Sequence, residues 1–105
     1  MASVMSDSAI DAALAELPDW HRSDNAIARV VESATFPEAV ALLQDVAAAA
    51  EAADHHPDMD VRGRKVTYTL STHSAGGITE LDVKFARRID ALVADSAKKL
   101  TPETT

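Results

Sequence analysis

His55, His56 and His73, together with Glu51 and Asp82, are the side chains whose types and spacing suit proton-transfer chemistry. Imidazole titrates near neutrality, so a cluster of such rings can supply both a proton donor and a proton acceptor. His55 and His56 end an alanine-rich stretch that reads as a helix, and Pro57 fixes the exit from it. Neighbouring side chains on a helix point about 100° apart. The residue before a proline is pushed out of helical geometry, so a break here lets both rings turn towards one pocket. Glu51 precedes His55 by one helical turn and shares its face, where a carboxylate can hold one imidazole in a fixed tautomer. His73 follows an alternating strand pattern and precedes Gly76-Gly77. Asp82 opens the last helical pattern, where the helix dipole favours a carboxylate that can also orient a neighbour.

Simpler roles compete with each of these. Adjacent histidines at a helix C-terminus favour the negative end of the dipole without doing chemistry, and His21 reads as a surface or capping residue. Thr79 and Asp82 have capping spacing, which does not prevent them from serving a site as well. Three histidines and an aspartate are legal zinc ligands. However, adjacent histidines rarely bind one ion together, and the His-x-x-x-His spacing is absent. Gly76-Gly77 lacks the spacing of a dinucleotide or phosphate loop.

The elements that must position these groups are legible from periodicity. Residues 1–7 read as a loose lead-in. Ser8 and Asp11 have capping-box spacing, and Ile10, Ala13, Leu14 and Leu17 form one helical stripe closed by Pro18. Trp20 to Ser23 is a candidate hairpin partner, across an Asp24-Asn25 turn, for a strand over residues 26–34. Phe36-Pro37 suits a helix start. The helix runs to about Ala53, with Val40, Leu43, Ala47 and Ala50 on one face and Leu42, Val46 and Ala49 widening it. Asp58-Met59-Asp60 reads as a turn before a short extended piece, with Gly63 at a hairpin or bulge. Val66, Tyr68 and Leu70 then alternate with Thr67, Thr69 and Ser71 as a half-buried strand. The last helix places Leu81, Phe85, Ile89, Leu92 and Val93 in the core, with Pro102 past its end and a loose tail over residues 101–105. The order α-β-β-α-β-β-α predicts an α+β fold: a four-stranded antiparallel sheet with three helices packed on one face.

Composition bounds the function. A chain of 105 residues fits one domain. Its net charge of −7, from 17 acidic and 10 basic residues, opposes phosphate backbones, so no nucleic acid is expected as partner. Cysteine is absent, which excludes disulfides and thiolate chemistry. No apolar stretch spans a bilayer, and the N-terminus lacks a secretory signal, so a cytoplasmic protein without a membrane partner is expected. The uncovered sheet face and alanine-rich helices suggest a dimer or larger assembly.

The runs Glu51-Ala-Ala-Asp-His55-His56-Pro57, Val66-Thr-Tyr-Thr-Leu-Ser-Thr72-His73 and Gly77-Ile-Thr79-Glu-Leu-Asp82 resemble the pterin-4a-carbinolamine dehydratases. Leu17, Trp20 and Phe36-Pro-Glu-Ala extend the resemblance to about residues 10–95. It implies dimers or tetramers, and dehydration of a 4a-hydroxytetrahydropterin to the quinonoid dihydropterin and water, with no metal or organic cofactor. It makes His55, His56 and His73 the acid–base set, supported by Glu51 and Asp82. It also makes His55, His56, Pro57, Thr72, His73, Ser74 and Ala75 the pterin contacts. Expelling the C4a hydroxyl needs an acid at the oxygen and a base for a ring-nitrogen proton, which imidazoles can supply.

Met59 and Gly63 stand where the family often has aromatics, which thins the expected walls of the pocket, and Asp54 replaces a common Asn. Some relatives act as protein partners, as a dimerisation cofactor or as assembly factors, and a non-catalytic binding module is the alternative reading.

Overall fold

The structure, a computed structural model, describes residues 2–100, and side chains for residues 2–97. Pro102 and the threonine-rich tail lie outside the described residues. The elements are α1 (Asp7–Ala15), β1 (His21–Ser23), β2 (Ala26–Glu32), α2 (Phe36–Ala53), β3 (Asp58–Arg62), β4 (Lys65–Leu70) and α3 (Glu80–Leu100). The strands form one antiparallel sheet in the order β1-β2-β4-β3. Two tight hairpins are thus joined through their inner strands, with α2 as the long connection. This is the expected fold class.

The sheet presents Ile27 and Val31 of β2 and Val66, Tyr68 and Leu70 of β4 to the helices, all buried. The pairs Ile27–Leu70 and Val31–Val66 lie opposite one another in the ladder, so alternation on both strands feeds one face. Ala39, Leu42, Val46 and Ala50 of α2 cover it with Val83, Phe85, Ala86 and Ile89 of α3. Small alanines at this contact let the helices approach each other closely. No helix of the described residues is long and apolar enough to cross a membrane.

Several local expectations are corrected. The N-cap of α1 is Ser6, whose Oγ accepts from the Ala9 amide at 3.1 Å, not Ser8. Ser6 is extended, so its hydroxyl can reach over the first turn, whereas Ser8 is already inside the helix. The lead-in is also anchored: the Met5 amide donates to the Ile78 carbonyl at 2.8 Å, a pairing between distant segments that local periodicity cannot reveal. The strand predicted over residues 26–34 ends at Glu32. The buried residues of α2 are Ala39, Leu42, Val46 and Ala50. Leu42, Val46 and Ala50 belong to the expected face, but its centre shifts towards Ala39, and Val40, Leu43 and Ala47 are half-buried at its edge. Asp58-Met59-Asp60 is strand, paired with Thr69, Tyr68 and Thr67. Both aspartates stay exposed on this edge strand while Met59 packs on the core, so the polar residues that suggested a turn are one side of an alternation. Leu81 is 45 % exposed rather than core, because α3 turns Asp82 and Phe85 inward.

Tyr68 carries a testable defect. Its side chain is fully buried and its hydroxyl has no hydrogen-bond partner among the described residues. Burial pushes the phenol up to about 12. Tyr68→Phe is therefore expected to keep or raise stability, by about 1 kcal/mol, because it deletes an unsatisfied buried group. With the folded-state value raised above the unfolded one, the neutral phenol's contribution is intact below pH 10 and is lost as pH climbs through 12. Urea melts between pH 8 and 12 should show that alkaline loss in wild type and a shallower one in the variant. A variant less stable than wild type at pH 8 would mean that the hydroxyl has a partner.

Candidate active site

Helix α2 ends in a left-handed residue. Asp54 has φ 52° and ψ 43°, and the His55 amide reaches back to the Ala50 carbonyl at 3.1 Å, the closure that a left-handed cap permits. Aspartate and asparagine tolerate this region better than most residues, which accounts for Asp54 where the resembled family often has Asn. The reversal separates the two rings. His55 turns inward, its side chain 11 % exposed, while His56 points outward at 61 %. The following Pro57 is buried.

His55 Nε2 lies 2.6 Å from Asp82 Oδ1. Asp82 is completely buried, at the start of α3, and its other oxygen accepts from the Thr72 hydroxyl and the Thr79 amide, each at 2.9 Å. Thr72 and Thr79 are themselves linked, oxygen to oxygen, at 2.7 Å. Both Asp82 oxygens thus face donors, so the arrangement fits an ionised carboxylate accepting a proton-bearing Nε2. That assignment leaves Nδ1 as the His55 atom able to exchange protons. The Phe85 ring meets His55 edge-on at a centroid distance of 6.2 Å and fixes the plane of the imidazole.

Glu51 pairs with His56, Oε1 to Nε2 at 2.8 Å, and not with His55 as shared helical phase suggested. The left-handed step at Asp54 takes His55 off the helical phase and brings its neighbour back over the last turn. This pair is exposed on both sides and orients the ring more than it stabilises the fold.

His73 rides on a turn closed by the bridge between Thr72 and Gly77, where Ala75 and Gly76 donate to the Thr72 carbonyl. Gly76 has φ 78°, a left-handed step that glycine makes without strain. His55, His56, Pro57, Thr72, His73 and Ser74 line one cleft of about 360 Å³. Ala75 belongs to the same turn but does not line this cleft. Glu51 and Asp82 reach it only through the histidines they hold. Leu81, Ser71 and Asp58 also line it, none of them expected from sequence. Phe85 was read only as core, although its spacing from Asp82 along α3 places both on one face. Met59 and Gly63 are absent from the lining. Gly63 sits at the turn of the β3–β4 hairpin, about 20 Å along the strand from Pro57, so its small size does not thin this chain's cleft. Among the described residues, no group of three or more histidines and carboxylates is arranged to hold a metal ion.

The sequence pattern described as "Pterin 4 alpha carbinolamine dehydratase" matches residues 3–92. The chain belongs to this family. A Nocardia farcinica protein with the provisional name pterin-4-alpha-carbinolamine dehydratase is 56 % identical over 89 residues, covering 85 % of this chain and 94 % of its own. A similarly named protein of Mycobacterium sp. strain KMS is 48 % identical over 91 residues, covering 87 % and 97 %. The crystal structure of a Brucella melitensis protein described as a transcriptional coactivator/pterin dehydratase superposes with a TM-score of 0.83 at 35 % identity, covering 87 % and 99 %. A pterin dehydratase-like protein described as a RuBisCO assembly factor in the alpha-carboxysome shares the fold, with a TM-score of 0.58 at 24 % identity over 70 % of this chain and 86 % of its own.

Proposed function

We propose that this protein dehydrates a 4a-hydroxytetrahydropterin to the quinonoid dihydropterin and water, using its histidines as acid and base. The observation that carries this reading is the His55–Asp82 pair: an imidazole held through Nε2 by a fully buried carboxylate, at the wall of a cleft shared with two further imidazoles. In the reaction a ring-nitrogen proton leaves, its electron pair forms the C=N bond to C4a, and the C4a hydroxyl departs as water once protonated. His55 Nδ1 takes the nitrogen proton, and Asp82 stabilises the imidazolium that results. His56 and His73, both exposed at the cleft, supply the proton to the hydroxyl, and Glu51 orients His56. Pro57, Thr72, Ser74 and the turn containing Ala75 shape the seat of the flat ring. No metal or organic cofactor is required for this chemistry.

The cytoplasm suits such a reaction, and a homodimer or homotetramer would cover the exposed Val30 and Phe36. A non-catalytic binding module is the competing reading, drawn from relatives described as a coactivator and an assembly factor. What favours the enzyme is the gathering of three imidazoles at one cleft, one of them oriented by a buried carboxylate, which a docking surface does not call for.

The test is a dehydration assay on the 4a-carbinolamine. Wild-type protein should accelerate the reaction, and His56→Ala should lower kcat about 10²-fold, the low end for a proton-transfer group, because water reaches this exposed position. No acceleration by folded wild-type protein rejects the enzyme, and an unchanged rate in the variant rejects His56.

A further inference from the structure

His55 separates two clefts. On one side lies the histidine-lined cleft; on the other, between α2 and α3, is a second cavity of about 270 Å³. Its floor is apolar, built from Ala49, Ala53 and Phe85. Its rim carries two cations, Lys84 and Arg88, one helical turn apart on α3 and so on one face. Leu81 and His55 line both cavities, so a ligand seated against the histidines can reach the second cavity past a single exposed leucine side chain.

The cations are not consumed by the fold. Among the described residues neither Lys84 nor Arg88 makes an ion pair, whereas the neighbouring Arg87 lies 3.9 Å from Glu16. Asp45 and Asp95 share an adjoining depression with Arg88, without coming within ion-pair distance of it. In a chain of net charge −7, Lys84 and Arg88 are cations that, among the described residues, remain without an ion pair at the mouth of an apolar cavity. A mostly apolar cavity with a cationic rim can enclose a short side chain and hold the anion at its end.

We infer that this cavity receives the side chain of the pterin and that Lys84 and Arg88 select a tail ending in phosphate or carboxylate over a neutral polyol. The inference rests on the pterin reading above and deepens it by naming a substrate class. Lys84 and Arg88 act as specificity residues: they touch the tail, not the reacting atoms.

The test compares equilibrium binding of neopterin and neopterin 3′-monophosphate, which differ only in the terminal phosphate, with folic acid as the carboxylate-ended probe and inorganic phosphate as a control for anion binding alone. Wild-type protein should bind each anionic pterin about tenfold more tightly than neopterin, the yield of two partly screened ion pairs, with the preference shrinking in high salt. In Lys84→Gln/Arg88→Gln, shown to be folded by circular dichroism, the ratio of affinities should fall to about one. A wild-type ratio near one with measurable neopterin binding overturns this inference and leaves the pterin site standing. A ratio that persists in the double variant, or inorganic phosphate binding as tightly as the phosphorylated pterin, overturns it as well. Failure of every pterin to bind overturns the pterin reading and this inference with it.

Discussion

His55→Gln is expected to lower kcat for dehydration about 10³-fold while leaving the fold nearly intact. Glutamine is of similar length, and its amide can still donate to Asp82 Oδ1, so the buried carboxylate keeps a partner. What it lacks is an atom that exchanges protons near neutrality. The effect should exceed that of His56→Ala. His55 is largely enclosed between Asp82 and the edge of Phe85, where water cannot readily take over its role, whereas His56 is open to solvent. Rate measurements beside urea melts separate the two contributions. A loss below tenfold with full stability would make His55 a structural histidine and move the proton transfers to His56 and His73.

Asp82→Ala is expected to have the largest effect on stability, about 3–5 kcal/mol, the range for removing one partner of a buried charged network. The Thr72 hydroxyl, the Thr79 amide and His55 Nε2 would lose their acceptor at once, in a position with no exposure. Against a total stability of about 5–15 kcal/mol for a domain of this size, that is a large fraction. The melting temperature should fall by roughly 15–30 °C. Asp82 also joins three parts of the chain: the α2 exit, the turn after β4 and the start of α3. The same change should therefore loosen the His73 turn and raise its amide exchange. Combining it with His55→Ala, which unlike glutamine leaves no donor for Asp82 Oδ1, in a double-mutant cycle should show strong coupling, since the two side chains share one hydrogen bond. A loss under 1 kcal/mol would mean that water replaces the carboxylate, and that the network orients His55 without holding the fold.

Elements with a clean period were readable in advance. The alternation Val66, Tyr68, Leu70 is the buried face of β4, and the stripe through Phe85 and Ile89 is the buried face of α3. Errors arose where one local pattern served two structures. Asp58-Met59-Asp60 has the composition of a turn, yet on an edge strand its aspartates are the solvent side. Leu81 has core chemistry and helical phase, yet the cap that turns Asp82 inward rotates it out to solvent. Met5 is tied to Ile78 by a backbone bond that side-chain composition does not register.

The candidate site divides the same way. Sequence alone determined which groups could exchange protons, because residue type sets chemistry, and that a break at Asp54-His55-His56-Pro57 would free two rings from helical phase. It also determined the family, through the spacing of the His-His-Pro, Thr-His and Thr-x-x-Asp runs, for which residues 3–92 match the family pattern. Only the tertiary structure decided the pairing. Glu51 is in phase with His55, yet it holds His56, and His55 is held by Asp82 from a different helix. The reason is geometric. A left-handed residue at Asp54 resets the direction of the chain, and the sheet then brings the start of α3 beneath the end of α2. Which carboxylate meets which imidazole depends on that juxtaposition, and spacing along the chain does not encode it.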